Sequence, residues 1–213
     1  MTSYGKTPRS VIEYRHQYER SEGVSLKKIV IVIAAALLLA CFAGCRDKNI
    51  HHVEIDVEDY GTICVELDGK TAPITVDNFI SLARSGFYDG LTFHRIISGF
   101  VIQGGDPRGD GSGGSGTYIK GEFRLNGVEN DISHERGTIS MARASYSYDS
   151  ASSQFFIVHK DSKFLDGQYA AFGHVTSGME IVDQICADIP VQNKDGKVAF
   201  KDQPVISEIR VID

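Results

Sequence analysis

The sequence is poor in several residue types and motifs, and each shortage excludes a class of protein. Four cysteines in 213 residues are too few for a domain held together mainly by disulfides. Lys and Arg number 22 against 28 Asp and Glu, so the net charge of −6 provides no basic face for capturing nucleic acid. The HExxH, CxxC and GxSxG motifs of zinc proteases, paired thiols and serine hydrolases are absent. We therefore expect no metal, no cofactor and no nucleic-acid partner.

Proline is also scarce, with 5 residues against 22 glycines, and this ratio indicates the many turns of an all-β architecture. The stretch Gly109–Gly116 contains a literal GxGxxG pattern, but no helix pattern follows it and no phosphate-loop lysine is present. We interpret it as a flexible loop on the rim of a site. Cys64 and Cys186 each lie in an apolar pattern, which predicts buried free thiols rather than a disulfide between them.

The longest apolar run, Ile29–Gly44, has 16 uncharged residues and directly follows two lysines, Lys27–Lys28. Its length lies between that of a signal-peptide apolar region and that of a membrane-spanning helix. The run ends in Phe42–Cys45, which resembles a bacterial lipoprotein signal and implies that Cys45 is lipidated. An uncleaved single-pass anchor is the alternative. Both interpretations predict attachment to a membrane, with the rest of the chain on the extracytoplasmic face because the lysines stay in the cytoplasm.

These features divide the chain into four predicted parts. Residues 1–25 form a polar N-terminal tail, and our hypothesis is that translation begins at Val24, so that Met1–Gly23 is a misassigned upstream start. Residues 26–45 are the lipoprotein signal peptide or anchor, preceding a polar linker over residues 46–52. Residues 53–213 form the folded domain.

The folded part has the pattern of many short strands and two helices. Alternating apolar residues over Val53–Val57 and Ile63–Leu67 predict a hairpin. A helix is predicted from Pro73 to a stop at Gly86, with Val76, Phe79, Ile80 and Ala83 inward. A second is predicted from Ser177, whose spacing to Glu180 is that of a capping box, to just before Pro190, with Ile181, Val182 and Ile185 inward. Further strands are predicted over Leu91–Ile97, Phe100–Gln103, Gly137–Ala142, Gln154–His159, Ala170–Val175 and Val205–Ile212.

Four motifs carry a family resemblance: FHRII at Phe93–Ile97, GFVIQGGDP at Gly99–Pro107, SQFFI at Ser153–Ile157 and FLDG at Phe164–Gly167. In this order and spacing they resemble the cyclophilin-type peptidyl-prolyl cis-trans isomerases, over about residues 53–213. The resemblance implies a mainly β fold, an eight-stranded antiparallel closed barrel capped by two α-helices, with a substrate groove on its outer surface. Phe164, Tyr169, Val101 and Arg143 replace the Trp, His, Met and Asn of the best-known eukaryotic members, and such variants are similar to the bacterial branch. With the N-terminal signal, the chain resembles the extracytoplasmic, lipoprotein-like members of that branch.

The resemblance also implies a site. Arg95 is the candidate catalytic donor, because its rigid guanidinium is always protonated and can hydrogen-bond the prolyl nitrogen in the twisted transition state. Gln103 would bond the substrate carbonyl and fix Arg95. The remaining implied substrate-binding residues are Phe100, Val101, Gly111, Ala142, Arg143, Ala144, Gln154, Phe156, Phe164, Leu165 and Tyr169. The expected partners are proline-containing polypeptides that fold outside the cytoplasm, and the expected state is monomeric. A non-catalytic proline-peptide-binding or chaperone module is the alternative function.

Overall fold

The computed structural model describes residues 49–213, which all belong to one compact unit. The predictions for the polar tail, the apolar run and Cys45 lie outside the described residues. The described chain contains eight strands and two α-helices. The strands are β1 Ile50–Val57, β2 Gly61–Asp68, β3 Thr92–Ile97, β4 Val101–Asp106, β5 Thr138–Met141, β6 Phe155–Val158, β7 Ala171–Ser177 and β8 Ile206–Val211.

All eight strands pair antiparallel in the order β3-β4-β6-β5-β7-β2-β1-β8 and form a half-barrel. The two end strands meet at one isolated bridge between Thr92 and Val205. Beside it, the Phe93 N–H donates to the Pro204 carbonyl and the Ile206 N–H donates to the Leu91 carbonyl. The sheet is therefore a half-barrel and not the closed barrel that the resemblance implies, because β3 and β8 meet at this short contact rather than along a continuous ladder.

The first helix, α1, spans Pro73–Arg84 and has the apolar face that the sequence predicts. Val76, Phe79, Ile80 and Ala83 are all buried, and Gly86 follows with a φ of 70° that favours glycine. The helix has no side-chain cap on Ala72. Its first N–H groups instead donate to the buried carboxylate of Glu122, from Ile74 at 3.1 Å and from Thr75 at 2.7 Å.

The second helix, α2, spans Met179–Asp188, and the predicted start at Ser177 is wrong. Ser177 is the last residue of β7, where it pairs with Cys64 of β2, and the helix begins after Gly178 without a side-chain cap. The pairing of β2 with β7 therefore overrides the local capping-box pattern. The predicted inward face is confirmed, because Ile181, Val182 and Ile185 are buried.

The main core lies between the inner face of the sheet and the two helices. Each large apolar side chain that is fully buried in this core stabilises the fold by roughly 1.5–3 kcal/mol. Aromatic rings pack edge to face within it, with the Phe79 and Phe155 centroids 5.4 Å apart. The largest fully buried side chains include Tyr88, Phe79, Phe93, Phe123, Phe155 and Phe172.

Two further sequence predictions are corrected by the described residues. Strand β1 begins at Ile50, so the end of the predicted linker belongs to the sheet, and the His52 N–H donates to Asp213 at 2.6 Å. Cys64 and Cys186 are free, as predicted, but half-buried rather than buried. Burial raises the pKa of the Cys186 thiol to about 11. Within residues 49–213, no helix is both long and apolar enough to cross a bilayer.

Candidate active site

Four side chains of the site stand in a row across four neighbouring strands. Arg95 on β3 pairs with Gln103 on β4, which pairs with Phe156 on β6, which pairs with Ser140 on β5. Residues directly opposite each other in antiparallel strands project from the same face of the sheet. The sheet register thus brings together residues that are up to 61 positions apart in the sequence.

The guanidinium of Arg95 is held on two sides by neutral oxygens. Its Nη1 donates to Oε1 of Gln103 at 3.1 Å, and its Nε donates to the backbone carbonyl of Asp195 at 2.9 Å. The guanidinium carbon lies 5.9 Å from the ring centre of Phe100. Among residues 49–213, Arg95 forms no ion pair with a carboxylate and Nη2 has no hydrogen-bond partner. The cation is therefore oriented but not neutralised.

Partial burial lowers the pKa of Arg95, and the nearby Asp195 and Tyr169 oppose this effect. A guanidinium titrates so far above neutrality that the group stays protonated at any physiological pH. Arg95 is therefore a permanent hydrogen-bond donor.

A chain of side-chain amides continues from Arg95 along the surface. Gln103 donates through Nε2 to Oε1 of Gln154 at 2.8 Å. Gln154 in turn donates through Nε2 to the carbonyls of Gly111 at 3.1 Å and Gly113 at 2.8 Å. Each amide uses its oxygen towards Arg95 and its nitrogen away from it, so the donor direction is the same along the whole chain.

Beside Arg95 lies a small cavity of about 200 Å³, whose lining combines apolar and aromatic side chains with two arginines and a glutamine. Its floor is formed by Val101, Phe156 and Leu165, which belong with Val158 to a cluster of buried side chains separate from the main core. The Tyr169 ring stands edge-on to Phe156 at 5.8 Å. The cavity is lined by Arg95, Phe100, Val101, Gln103, Ala142, Arg143, Phe156, Leu165 and Tyr169.

Behind Phe156, a buried histidine joins three parts of the chain. The His134 ring lies nearly parallel to Phe156, with the ring centres 6.0 Å apart. Its Nδ1 lies 2.9 Å from Oδ1 of Asp166, and its Nε2 lies 3.1 Å from Oγ of Ser140. Because a carboxylate only accepts, Nδ1–H donates to Asp166 and Nε2 accepts from the Ser140 hydroxyl. The turn that carries Leu165 is thereby fixed to β5.

The pKa of this histidine is lowered because burial disfavours the charged ring, although Asp166 opposes the effect. For Asp166, burial alone would raise the pKa, but hydrogen bonds from His134 and Ser133 outweigh it and lower the pKa. The pair therefore consists of a neutral imidazole and an ionised carboxylate at neutral pH.

A second, larger cavity of about 500 Å³ adjoins the small one and shares Gln103, Ala142 and Arg143 with it. Its far rim carries two exposed tyrosines, Tyr118 and Tyr146. The other residues that line it include Pro107, Arg108, Gly111, Ser112, Gly113, Gly114, Gly116, Ala144, Ser150, Ser152 and Gln154.

The loop Gly109–Gly116 forms one side of the larger cavity and is tied to a single buried carboxylate. Asp106 accepts from the backbone N–H groups of Arg108 at 2.8 Å, Asp110 at 3.2 Å and Gly111 at 2.6 Å. At Gly113 a Cβ atom would lie 2.0 Å from Oδ1 of Asp106. The glycine-rich pattern therefore allows the loop to fold tightly around Asp106, and it lies at a cavity rim as predicted.

Arg143 stands where the two cavities meet. Its guanidinium carbon lies 5.3 Å, 5.1 Å and 4.8 Å from the ring centres of Phe123, Tyr148 and Tyr169. Its Nε and Nη1 donate to the backbone carbonyls of Gln168 and Ala144, at 3.0 Å and 3.1 Å. This side chain connects the loop between β5 and β6 to the edge of the small cavity.

The structure thus brings together almost all of the residues that the sequence predicts for the site. Phe164 is the exception: it lines neither cavity, is 66% exposed and stacks on Phe100, with the ring centres 5.5 Å apart. Sequence reasoning missed Arg108, Tyr118 and Tyr146, although the two tyrosines are conspicuous in otherwise small and polar loops. Within residues 49–213, no group of three or more His, Cys, Asp or Glu side chains is placed to hold a metal ion.

Comparison with protein families agrees with this geometry. Residues 52–211 match the family model described as cyclophilin type peptidyl-prolyl cis-trans isomerase/CLD. The match covers all eight strands except the first two residues of β1.

Several bacterial proteins named as isomerases are similar in sequence. Peptidyl-prolyl cis-trans isomerase B of Bacillus subtilis is 52% identical over 124 residues, which are 58% of this chain and 82% of that protein. A peptidyl-prolyl cis-trans isomerase of Helicobacter pylori is 48% identical over 127 residues, 59% of this chain and 74% of the relative. Peptidyl-prolyl cis-trans isomerase A of Dickeya dadantii is 39% identical over 165 residues, 75% of this chain and 84% of the relative.

A solved structure is similar as well. The cyclophilin type peptidyl-prolyl cis-trans isomerase of Cryptosporidium parvum, crystallised in the presence of the dipeptide Ala-Pro, superposes with a TM-score of 0.67 at 34% sequence identity. The superposition covers 76% of this chain and 99% of that one.

Proposed function

The chain belongs to the cyclophilin-type peptidyl-prolyl cis-trans isomerase family, and from this premise we propose that it accelerates rotation about Xaa-Pro bonds through a hydrogen bond from Arg95 to the prolyl nitrogen. Isomerase activity agrees with the names of its relatives and with the domain that it shares with them. The observation that carries the mechanism is an oriented guanidinium that forms no ion pair with a carboxylate among the described residues and lines a cavity with an apolar floor.

The chemistry of the reaction explains why such a donor would suffice. Resonance between the amide nitrogen and the carbonyl sets a rotation barrier of roughly 18–20 kcal/mol. In the twisted transition state this resonance is lost, and the prolyl nitrogen regains a lone pair that can accept a hydrogen bond. A donor aimed at that nitrogen is satisfied only in the transition state, so it lowers the barrier instead of tightening the ground-state complex. No nucleophile or proton transfer is needed.

The small cavity supports the role of a proline-binding pocket. Its apolar floor of Val101, Phe156 and Leu165 suits a pyrrolidine ring, whose burial would hold the ring still while the preceding residue rotates. Arg95 lines the same cavity. We propose that Phe100 and Tyr169 complete its walls and that Gln103 both orients Arg95 and bonds the substrate carbonyl.

The peptide on either side of the proline needs a binding surface too. We propose that the backbone around Ala142, Arg143 and Ala144 pairs with the extended substrate, while Gly111 and Gln154 line the adjoining surface. Ala142 is in a suitable position because it lines both cavities. Phe164 lines neither cavity, but it stacks on Phe100, and its role in substrate binding stays a prediction.

A protease-coupled assay with an Xaa-Pro test peptide examines the mechanism. Arg95→Ala is expected to lower kcat/KM by about 100-fold, the usual effect of removing one transition-state donor. Phe156→Ala is expected mainly to raise KM. Arg84→Ala, an exposed arginine outside both cavities, is the matched control and should leave the rate unchanged. Equal rates for the wild type and Arg95→Ala would contradict the proposal and favour the non-catalytic alternative.

We also propose that the enzyme acts at the extracytoplasmic face of a membrane. Support comes from the sequence alone: the lysine pair before the apolar run Ile29–Gly44, and the small residues before Cys45. Metabolic labelling with a fatty acid should modify the wild type and Cys41→Ala but not Cys45→Ala. Unchanged labelling of Cys45→Ala would contradict lipidation at that residue.

A further inference from the structure

The two cavities are placed to receive two side chains of one extended peptide. They share the wall formed by Gln103, Ala142 and Arg143. In an extended chain, residues two positions apart project to the same face and lie roughly 6.5–7 Å apart. If the small cavity holds the proline, as proposed above, the larger cavity receives the second residue along the peptide. The following inference depends on that proposed function.

The arginines of the described chain are distributed unevenly with respect to acidic partners. Residues 49–213 contain seven arginines, of which Arg124, Arg136 and Arg210 form ion pairs with carboxylates. Of the four that form none within this part of the chain, only Arg84 lies away from the two cavities. The others, Arg95, Arg108 and Arg143, line them. Three of the four arginines that form no ion pair within residues 49–213 thus lie along the binding surface of a protein with a net charge of −6.

The carboxylates nearest to these arginines form no ion pair with them within residues 49–213, although Asp110 and Asp195 still attract Arg108 and Arg95 electrostatically. Both oxygens of Asp106 accept backbone N–H groups of its own loop. Asp110 accepts from the N–H of Ser112 at 2.9 Å and from its hydroxyl at 2.6 Å. Asp195 approaches Arg95 through its backbone carbonyl. No Asp or Glu is among the described residues that line either cavity.

We propose that the larger cavity binds the carboxylate side chain of an Asp or Glu placed two residues from the substrate proline, with Arg108 as its partner. Arg108 is exposed and makes one long side-chain hydrogen bond, from Nη1 to Oγ of Ser112 at 3.4 Å. Its planar fork of N–H groups matches the geometry of a carboxylate. Arg143 adds positive charge to the shared wall, although two of its nitrogens already donate to backbone carbonyls.

The size of the preference follows from the exposure of the site. A solvent-exposed pair is weak, so a Glu peptide should exceed the matching Gln peptide by about three- to fivefold in kcat/KM at low ionic strength. A Lys peptide should be the poorest of the three, because its charge repels that of the arginines. Salt at about 0.5 M should remove most of the difference, since exposed charges are screened.

The test uses the full-length protein and NMR exchange measurements on matched peptides. Each peptide carries one proline and has Glu, Gln or Lys at the second residue before the proline or at the second residue after it. A preference in the order Glu, Gln, Lys in either series supports the inference. In Arg108→Gln, the ratio of kcat/KM for the Glu peptide to kcat/KM for the Gln peptide should fall towards one. Arg108→Lys keeps the charge and should retain part of the preference. Arg84→Gln removes the same charge away from the cavities and should keep the wild-type ratio.

Two results would overturn the inference while leaving the proposed function intact. One is equal kcat/KM for the Glu, Gln and Lys peptides in the wild type. The other is a preference that persists unchanged in Arg108→Gln. A lack of catalysed exchange with every peptide would instead contradict the proposed function, and the inference would fall with it.

Discussion

At the scale of single residues, Gln103 occupies a position in the site where the side chain must both accept and donate a hydrogen bond. Its oxygen accepts from Arg95 while its nitrogen donates to Gln154, so one amide joins the proposed donor to the rim of the larger cavity. A side chain with only an acceptor or only a donor could not make both contacts.

We expect Gln103→Leu, which keeps the volume but removes both hydrogen bonds, to lower kcat about tenfold, equivalent to about 1.4 kcal/mol of transition-state stabilisation. The cause would be a less well oriented Arg95. Steady-state kinetics would check this, with the exposed Gln192→Leu as the control. A change confined to KM would indicate that Gln103 binds substrate without orienting Arg95.

His134 should make the free energy of unfolding depend on pH, and this dependence can be measured. Burial lowers its pKa in the folded state, so the unfolded chain takes up a proton first as the pH falls below about 6.5. The free energy of unfolding should therefore decrease from that pH downwards, towards the lowered pKa of the folded state. His94, which is buried without a side-chain hydrogen bond in the described structure, has its pKa lowered by burial as well and acts in the same direction.

Thermal unfolding of His134→Gln between about pH 7 and pH 5 should show a flatter pH dependence than that of the wild type. At pH 8 the variant should already be less stable by about 1–3 kcal/mol, because buried hydrogen-bond partners lose their geometry. The exposed His174→Gln is the control. A pH profile of His134→Gln parallel to that of the wild type would rule out this histidine as a source of the dependence.

A side chain's direction can be predicted from the sequence where strand alternation sets it, but not where a turn decides it. Gln103 and Phe156 lie side by side because each is in a regular strand and the two are directly paired. Phe164 and Leu165 are neighbours in a 3₁₀ turn, Lys163–Leu165, and point different ways, with 66% and 7% exposure. The pairing of His134 with Asp166 spans 32 residues, and no local pattern signals it.

At the scale of secondary-structure elements, the start of α1 depends on a distant loop. Glu122 is only 2% exposed, and its carboxylate accepts from the N–H groups of Ile74 and Thr75 and from the Thr75 hydroxyl. A negative charge at this end also complements the helix dipole. The apolar period of α1 was readable from the sequence, but this capping contact bridges 47 or 48 residues and was not.

We predict that Glu122→Gln lowers the free energy of unfolding by about 1–3 kcal/mol, because the amide replaces a charged acceptor in a buried set of hydrogen bonds. Chemical denaturation would measure it. Glu129→Gln, an exposed change of the same kind in the following loop, should have little effect. Equal stability of Glu122→Gln and the wild type would show that α1 does not need the charge.

The two helices also show why element boundaries differ in how well the sequence predicts them. For α1, Pro73 and Gly86 are local signals that no other element competes for. For α2, the spacing of Ser177 and Glu180 suggests a start that the ladder between β2 and β7 uses instead. The pairing of β2 with β7, rather than the local capping-box pattern, therefore determines where α2 begins.

At the scale of the whole molecule, the predicted domain limits can be tested by dissection. Asp47–Asp213 form one compact unit, and the family match lies inside it. We expect a fragment of residues 47–213 to unfold in a single cooperative transition and to isomerise test peptides with the same kcat/KM as the full-length chain. Assays of both proteins in detergent would provide the comparison. A tenfold loss in the fragment would show that residues 1–46 contribute to activity.

The apolar cluster of Val101, Phe156, Val158 and Leu165 lies apart from the main core. Substitutions there would change what the pocket accepts while leaving the interior packing of the sheet and helices untouched. Duplicated copies of such a gene can therefore diverge in client choice without rebuilding the scaffold. Laboratory evolution of altered proline binding can therefore begin at these positions, because they lie apart from the main core.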